Sequence, residues 1–313
     1  MTILLIAAGS HVHGFDDYTS SFDTNDDNCC PSSDCCAQPS CCSQGFVSAD
    51  FLYWTAYQGG LEVCGPSETI DIINPGGGVT SFFNGKTKDP HFDWSPGFRI
   101  AAGYPIKSSC WDVAVYWTHF CTKVHRNFGD DHRFRWRLNF DVVDVVIGRE
   151  FNLGSCFTVR PFSGVRGAFI DQKAKGFELD ALLFTTAGEK RRSRFAAVGL
   201  LAGLETVWNI GCGWGVYANA AISGLWGRYR VKCEEFSTFP FGAEFCNFRE
   251  HLEACQLVID SGFGISWTKC FCNNKQFVLK IGFEQHRYFD HNRIGDYGDL
   301  CLGGGLVSAG FKF

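Results

Sequence analysis

The sequence predicts an all-β fold, a transmembrane antiparallel β-barrel of about 10 strands (range roughly 8–12), behind a disordered Cys-rich N-terminal segment. Three observations predict it. Side-chain character alternates with a period of two over most of the chain after Phe46. Such alternation is the mark of a strand with one apolar and one polar face. Connections between the alternating stretches are short and long by turns. Aromatic residues, 16% of the chain with 31 Phe and 9 Trp, gather near the stretch ends, while charge is sparse at 19%. A soluble domain carries nearer 25% charge. No later run of 18 apolar residues follows the N-terminus. A membrane passage must therefore use a closed barrel, which satisfies every backbone group in lipid.

The elements follow in order. Residues 1–14, MTILLIAAGSHVHG, carry the apolar run Ile3 to Ala8 and read as the remnant of a signal peptide without its basic region. Residues 15–45 are polar and Cys-rich and are expected to be a disordered periplasmic segment. Residues 46–313 form the barrel. Its expected strands are 46–58, 97–105, 110–123, 133–150, 156–171, 193–208, 213–231, 253–269, 275–288 and 301–313. Several are longer than a soluble sheet favours but normal for a tilted membrane strand. In RFRWRLNFDV, Arg133 to Asp141 alternate with Phe134 to Val142. The phase slips near Val143, where a bulge is expected. Tyr53, Trp54, Tyr104, Trp111, Trp208, Trp214, Trp226, Trp267 and Tyr288 suit two interfacial girdles.

The short connections are 105–109, 151–155, 209–212 and 270–274. The long ones are 59–96, 124–132, 172–192, 232–252 and 289–300. With an even strand count, both termini fall in the periplasm of a bacterial outer membrane. The last strand, with Phe311 and Phe313 on its apolar face, closes the barrel and leaves no free edge.

ADFLYW (49–54), FDVVDVVIGREF (140–151), RPFSGVRGAFI (160–170) and IGFEQHRYFDHN (281–292) resemble the Legionella-type major outer membrane protein family. That family includes the porins of environmental chlamydiae. GLLAGLETVW, ANAAISGLWG and the ending GDLCLGGGLVSAGFKF fit the same resemblance. It implies a β-barrel porin, and it implies association with a disulfide-linked envelope complex. The paired N-terminal cysteines lie outside the family pattern.

On a barrel, the polar faces point inward. Arg99, Arg133, Arg135, Arg137, Asp141, Arg160, Arg166, Asp260, Lys280 and Glu284 are the expected pore lining, with an Arg excess that favours anions. The same charges can instead pair across the lumen and plug it. Ten strands make a narrow barrel, and aqueous channels are typical of 16 to 18. The expected function is thus passive passage of small polar solutes or ions. The alternative is a structural envelope protein or surface adhesin with an occluded lumen.

The chain has 17 Cys, which suits an oxidising compartment. Cys29, Cys30, Cys35, Cys36, Cys41 and Cys42 stand as three adjacent pairs, and adjacent cysteines bridge each other only with strain. Cys110, Cys156, Cys212, Cys270 and Cys272 fall in or beside the short turns, on the same side. Three uses stay open: cross-links to neighbouring chains, disulfides tying the arm to the turns, and metal. The spacing is not that of a zinc site, and no metal or cofactor is expected. Expected partners are outer-membrane lipid, other copies of the chain and other Cys-rich envelope proteins. The net charge of -5 argues against nucleic acid. No enzyme motif is present. The acidic, His-containing stretches 129–132 and 289–299 read as solvated external loops.

Overall fold

The computed structural model describes residues 45–61, 63–64, 68–73, 79–84, 87–88, 92–106, 111–128, 132–154, 156–180, 185–239, 242–271, 275–294 and 298–313. The Cys-rich segment, Cys110, Cys272 and the stretch 129–131 lie outside them. Ten long strands build the sheet: β1 (Phe46–Gln58), β2 (Ser95–Pro105), β3 (Trp111–Phe128), β4 (His132–Arg149), β5 (Phe157–Asp180), β6 (Thr185–Gly211), β7 (Trp214–Phe239), β8 (Gly242–Cys270), β9 (Gln276–Tyr288) and β10 (Leu300–Lys312). Each pairs antiparallel with its neighbours in sequence. The ring closes where β10 pairs β1, from Phe46↔Lys312 to Gln58↔Leu300. Closure removes the edges that an open sheet would expose. The connection from β1 to β2 carries its own hairpin, Glu68–Ile73 against Val79–Asn84.

The barrel is lopsided. β5, β6, β7 and β8 have 24, 27, 26 and 29 residues, against 13 in β1, β9 and β10. At one end the connections are tight. The β6–β7 turn runs through Gly211, Cys212 and Gly213 with φ of 131°, 53° and 80°. Two glycines supply most of that left-handed backbone, where a Cβ is costly. We call this the turn end; both Gly45 and Phe313 are there, and Phe313 N donates to Gly45 O at 2.8 Å. The far end is the extended end, where the long strands outrun β1, β2, β9 and β10.

The outer face has an apolar band. On β7 it runs from Trp214 to Trp226, through Val216 and Ile222, all exposed. Twelve steps of ~3.3 Å on a strand tilted roughly 45° span about 28 Å, close to a bilayer's hydrocarbon core. Trp111, Trp208, Trp214 and Tyr104 point outward at the turn end of the band, and Trp117 and Trp226 at its other edge. Two expected girdle residues do not: Trp54 and Tyr288 are 0% and 1% exposed and point inward. Their positions along the strands suited a girdle, but their parity put them on the inner face.

The expected bulge at Val143 is absent. Val143 pairs in register with Trp117 on β3 and Gly167 on β5. What changes there is the medium, not the register. Even-numbered residues of β4 face inward along its whole described length, from buried Phe134, Trp136, Leu138 and Phe140 to half-buried Asp144 and buried Val146. The outward face switches from Arg133, Arg135, Arg137, Asn139 and Asp141 to Val143, Val145 and Ile147. Beyond the band the barrel is an ordinary water-facing sheet, polar outside and apolar within.

Candidate functional site: the barrel lumen

Inward-facing residues divide the lumen into two storeys. The lower one, level with the apolar band, is polar. Arg99 on β2 donates from both Nη atoms to Glu284 on β9, at 3.0 Å each, and lies 3.5 Å from Asp50 on β1. His286, beside Glu284 on the same face, reaches Asp260 of β8 at 2.7 Å. Arg166 of β5 then takes Asp260 at 2.5 Å and Asp144 of β4 at 2.7 Å. One chain of alternating charge thus crosses the lumen. Nearer the turn end Arg160 joins Asp112 and Glu205, and Lys280 lies over the Tyr217 ring. Each ion is taken out of bulk water, so each depends on its partners. A cavity of about 130 Å³ adjoins the chain, touched by Arg99, Tyr116, Arg166, Asp260 and Glu284.

The upper storey is apolar and filled. Leu52, Trp54, Phe120, Trp136, Leu138, Phe140, Ile170, Phe195, Tyr229 and Tyr288 form one buried cluster. Phe140 of β4 and Tyr288 of β9 meet edge to face across the barrel at 5.7 Å. Trp54 packs on Phe120 at 5.4 Å and on His286 at 4.9 Å. Above them Gln172 of β5 donates to Gln58 of β1 at 2.9 Å, with both side chains buried.

A lid completes the seal. Residues 289–294 turn into the mouth, leaving His291, Asn292 and Ile294 only 2–3% exposed. Asn292 Nδ2 donates to Gly59 O at 2.7 Å and Arg191 donates to Ile294 O at 2.7 Å. His291 Nδ1 lies 2.9 Å from the Tyr229 hydroxyl and 3.0 Å from Gln256 Oε1. Burial, aided by the nearby Arg293 charge, pushes the His291 imidazole down to about 3. This corrects the expectation of a solvated loop: Phe289, His291 and Ile294 gain more from the apolar mouth than from water.

The expected pore lining sorts cleanly by strand parity. Arg99, Arg160, Arg166, Asp260, Lys280 and Glu284 face the lumen, where all but Lys280 are paired with acids or bases as above. Arg133, Arg135, Arg137 and Asp141 do not face it; they lie on the outer face of β4. They were placed inside because polar faces were taken to point inward everywhere, which holds only inside the bilayer. The plug residues of β4 were missed for the same reason, and His291 because its stretch was expected to be a solvated loop.

The turn-end cysteines fall as follows. Cys156 precedes β5 and its carbonyl accepts from Asn209 N at 2.7 Å; Cys212 is in the β6–β7 turn, and Cys270 ends β8. Cys121, Cys233, Cys255 and Cys301 lie toward the extended end. Cys233, Glu189 and Glu235 offer a sulfur and two carboxylates within 4.8 Å of one another. Arg191 already pairs with both acids, and burial with the Glu235 hydrogen bond pushes the Cys233 thiol up to about 11. At neutral pH that keeps the sulfur a neutral thiol.

Residues 38–301 match the family described as Legionella pneumophila major outer membrane protein precursor. The chain belongs to this family. The apolar band of this major outer membrane protein relative is therefore its contact with outer-membrane lipid. No curated protein matched. Among solved structures, the outer membrane protease OmpT from Escherichia coli shares 12% identity at a TM-score of 0.42, covering 86% of this chain and 96% of that one. The outer membrane protein AlkL shares 14% at 0.30, covering 75% and 95%. A Pseudomonas aeruginosa FadL homologue shares 8% at 0.22, covering 86% and 89%. At those scores the barrel assignment rests on this chain's own closed strand pairing.

Proposed function

We propose that the protein is an outer-membrane barrel whose lumen is closed at rest, and that its first role is structural. It anchors the extended half of the sheet outside the membrane, with both termini in the periplasm. One observation carries this reading: the Trp54, Phe120, Phe140 and Tyr288 cluster is almost fully buried across the lumen, so side chains fill the lumen at that level. Tight turns at the end that holds both termini favour the orientation, because outer-membrane barrels keep short turns periplasmic. No catalytic role is proposed.

A second reading, passage of small polar solutes, is favoured by the charge chain and its cavity in the lower storey. It requires the plug and the 289–294 lid to withdraw. Planar-bilayer recording of the folded protein separates the two. A silent membrane supports the closed barrel, and discrete conductance steps at resting potential overturn it. Disulfide linkage of the N-terminal cysteines to neighbouring envelope proteins is proposed alongside. Migration as a monomer on a non-reducing gel of whole envelopes would sink that part.

A further inference from the structure

The outer face beyond the apolar band holds an unusual row. Lys123 of β3 pairs in register with Arg137 of β4, and Arg137 with Lys173 of β5. Lys173 pairs with Arg192 of β6, Arg192 with Lys232 of β7, and Lys232 with Arg249 of β8. Six cations stand side by side on six consecutive strands, all on the outward parity. Like charges directly opposite each other destabilise a sheet, so the row calls for an anion that the chain does not supply in equal number. Asp171 takes Arg192 at 2.6 Å and lies 3.9 Å from Lys173. Glu234 is held chiefly by Lys190, with Lys232 and Arg249 contributing. Among the described residues, no acid pairs with Lys123 or Arg137.

Between this row and the Trp117–Trp226 edge of the band lies a concavity of about 930 Å³. Arg194, Arg228 and Arg230 line it with Asp141, Asp171, Glu253, Phe169 and Trp226. Arg228 holds Glu253 at 3.1 Å and Arg194 lies 4.0 Å from Asp171, while among the described residues no acid pairs with Arg230. Phe169 and Trp226 are more than half exposed and form its membrane-side lip. A ligand here meets an apolar edge below, the unpaired Arg230 among mixed charges above it, and the six-cation row beyond. That is the profile of a lipid whose acyl chains stay in the leaflet while its phosphates rise past the interface. Arg is suited to phosphate because its planar fork binds two oxygens at once.

We propose that the outer wall of β3–β8 is a binding site for a phosphate-bearing glycolipid of the adjoining leaflet. The six-cation row meets its phosphorylated headgroup, and the concavity meets the phosphates nearest the acyl chains. The proposal rests on the orientation proposed above, with the extended end outside, and is independent of whether the lumen conducts.

The test uses the full-length folded barrel in neutral detergent, with bisphosphorylated lipid A as probe. Its dephosphorylated form and inorganic phosphate serve as the comparison arms. Bisphosphorylated lipid A should bind and raise the unfolding temperature, and its affinity should fall steeply as salt rises. Replacing Arg137, Arg230 and Lys232 together with Gln should weaken it about a hundredfold. These positions are on the surface, and unboiled gel migration checks that the variant is folded. The salt titration of the unmodified protein tests the proposal without any variant. Equal affinity for the dephosphorylated form, insensitivity to salt, or an unchanged affinity in a folded triple variant overturns the proposal. Equal binding of inorganic phosphate would assign the cations to free anion and overturn the lipid assignment.

Discussion

Arg99 and Glu284 sit on strands β2 and β9, three staves apart around the barrel, yet are joined by two hydrogen bonds of 3.0 Å. Their side chains are 15% and 5% exposed. Breaking a buried pair from one side leaves an uncompensated charge. Glu284→Leu should therefore cost about 3–5 kcal/mol, while Arg99→Met with Glu284→Leu should recover most of it. Urea unfolding followed by the loss of the compact gel band measures both. A single variant within about 1 kcal/mol of the parent would show that Asp50 alone suffices for Arg99.

Phe140 and Tyr288 close the lumen edge to face at 5.7 Å. Once the 289–294 lid is clipped, removing both rings by Phe140→Ala and Tyr288→Ala should turn a silent barrel into one with discrete conductance steps. Each change should also cost about 3–5 kcal/mol of stability through the cavity it leaves. A clipped double variant that folds and stays silent would move the seal elsewhere.

The lid should open in acid. His291 is held neutral in the closed lid down to about 3, whereas in an opened lid it takes a proton near the ordinary value of about 6.5. The folded value is depressed, so the contribution to closure is whole above about 6.5 and is lost progressively as pH falls toward 3. Between pH 7 and pH 5 the closed lid should lose about 2 kcal/mol. Limited proteolysis within 289–299 at the two pH values reads this directly. His291→Gln should flatten the difference, and equal protection of the unmodified lid at pH 5 would refute it.

The face assignment of β4 is open to chemical labelling. In a background with Cys233, Cys246 and Cys255 replaced by Ser, Arg135→Cys should react with a water-soluble maleimide added to intact cells, whereas Phe134→Cys, one residue away and buried in the core, should be protected. The reverse pattern would put the β4 arginines back in the lumen. Labelling of Arg135→Cys only after the cells are broken would instead reverse the orientation proposed for the barrel.

Much of the fold was legible because it depends on local alternation. The ten stretches expected from the sequence correspond to the ten barrel strands, and β1 and β9 begin and end within one residue of expectation. Strand parity in the band was also legible: Leu257, Ile259, Phe263 and Ile265 face out while Asp260, Gly262 and Ser266 face in. The ends of β5 to β8 were not, because residues such as Lys173, Arg192 and Lys232 alternate with too little apolar contrast to announce a strand. Those extensions are held by pairing with equally long neighbours.

The sequence by itself determined ten alternating strands, each with one apolar and one polar face, since a period of two depends only on neighbours along the chain; closure by β10 on β1 joins the two ends of the chain. Only the tertiary structure decided which medium each face meets. Arg135 and Arg166 look alike in sequence, each on the polar face of an alternating strand. One stands in water outside the wall, while the other is buried between Asp144 and Asp260. The difference is height along the barrel relative to the bilayer. Height is fixed by strand register and by side chains that meet across the lumen from distant parts of the chain.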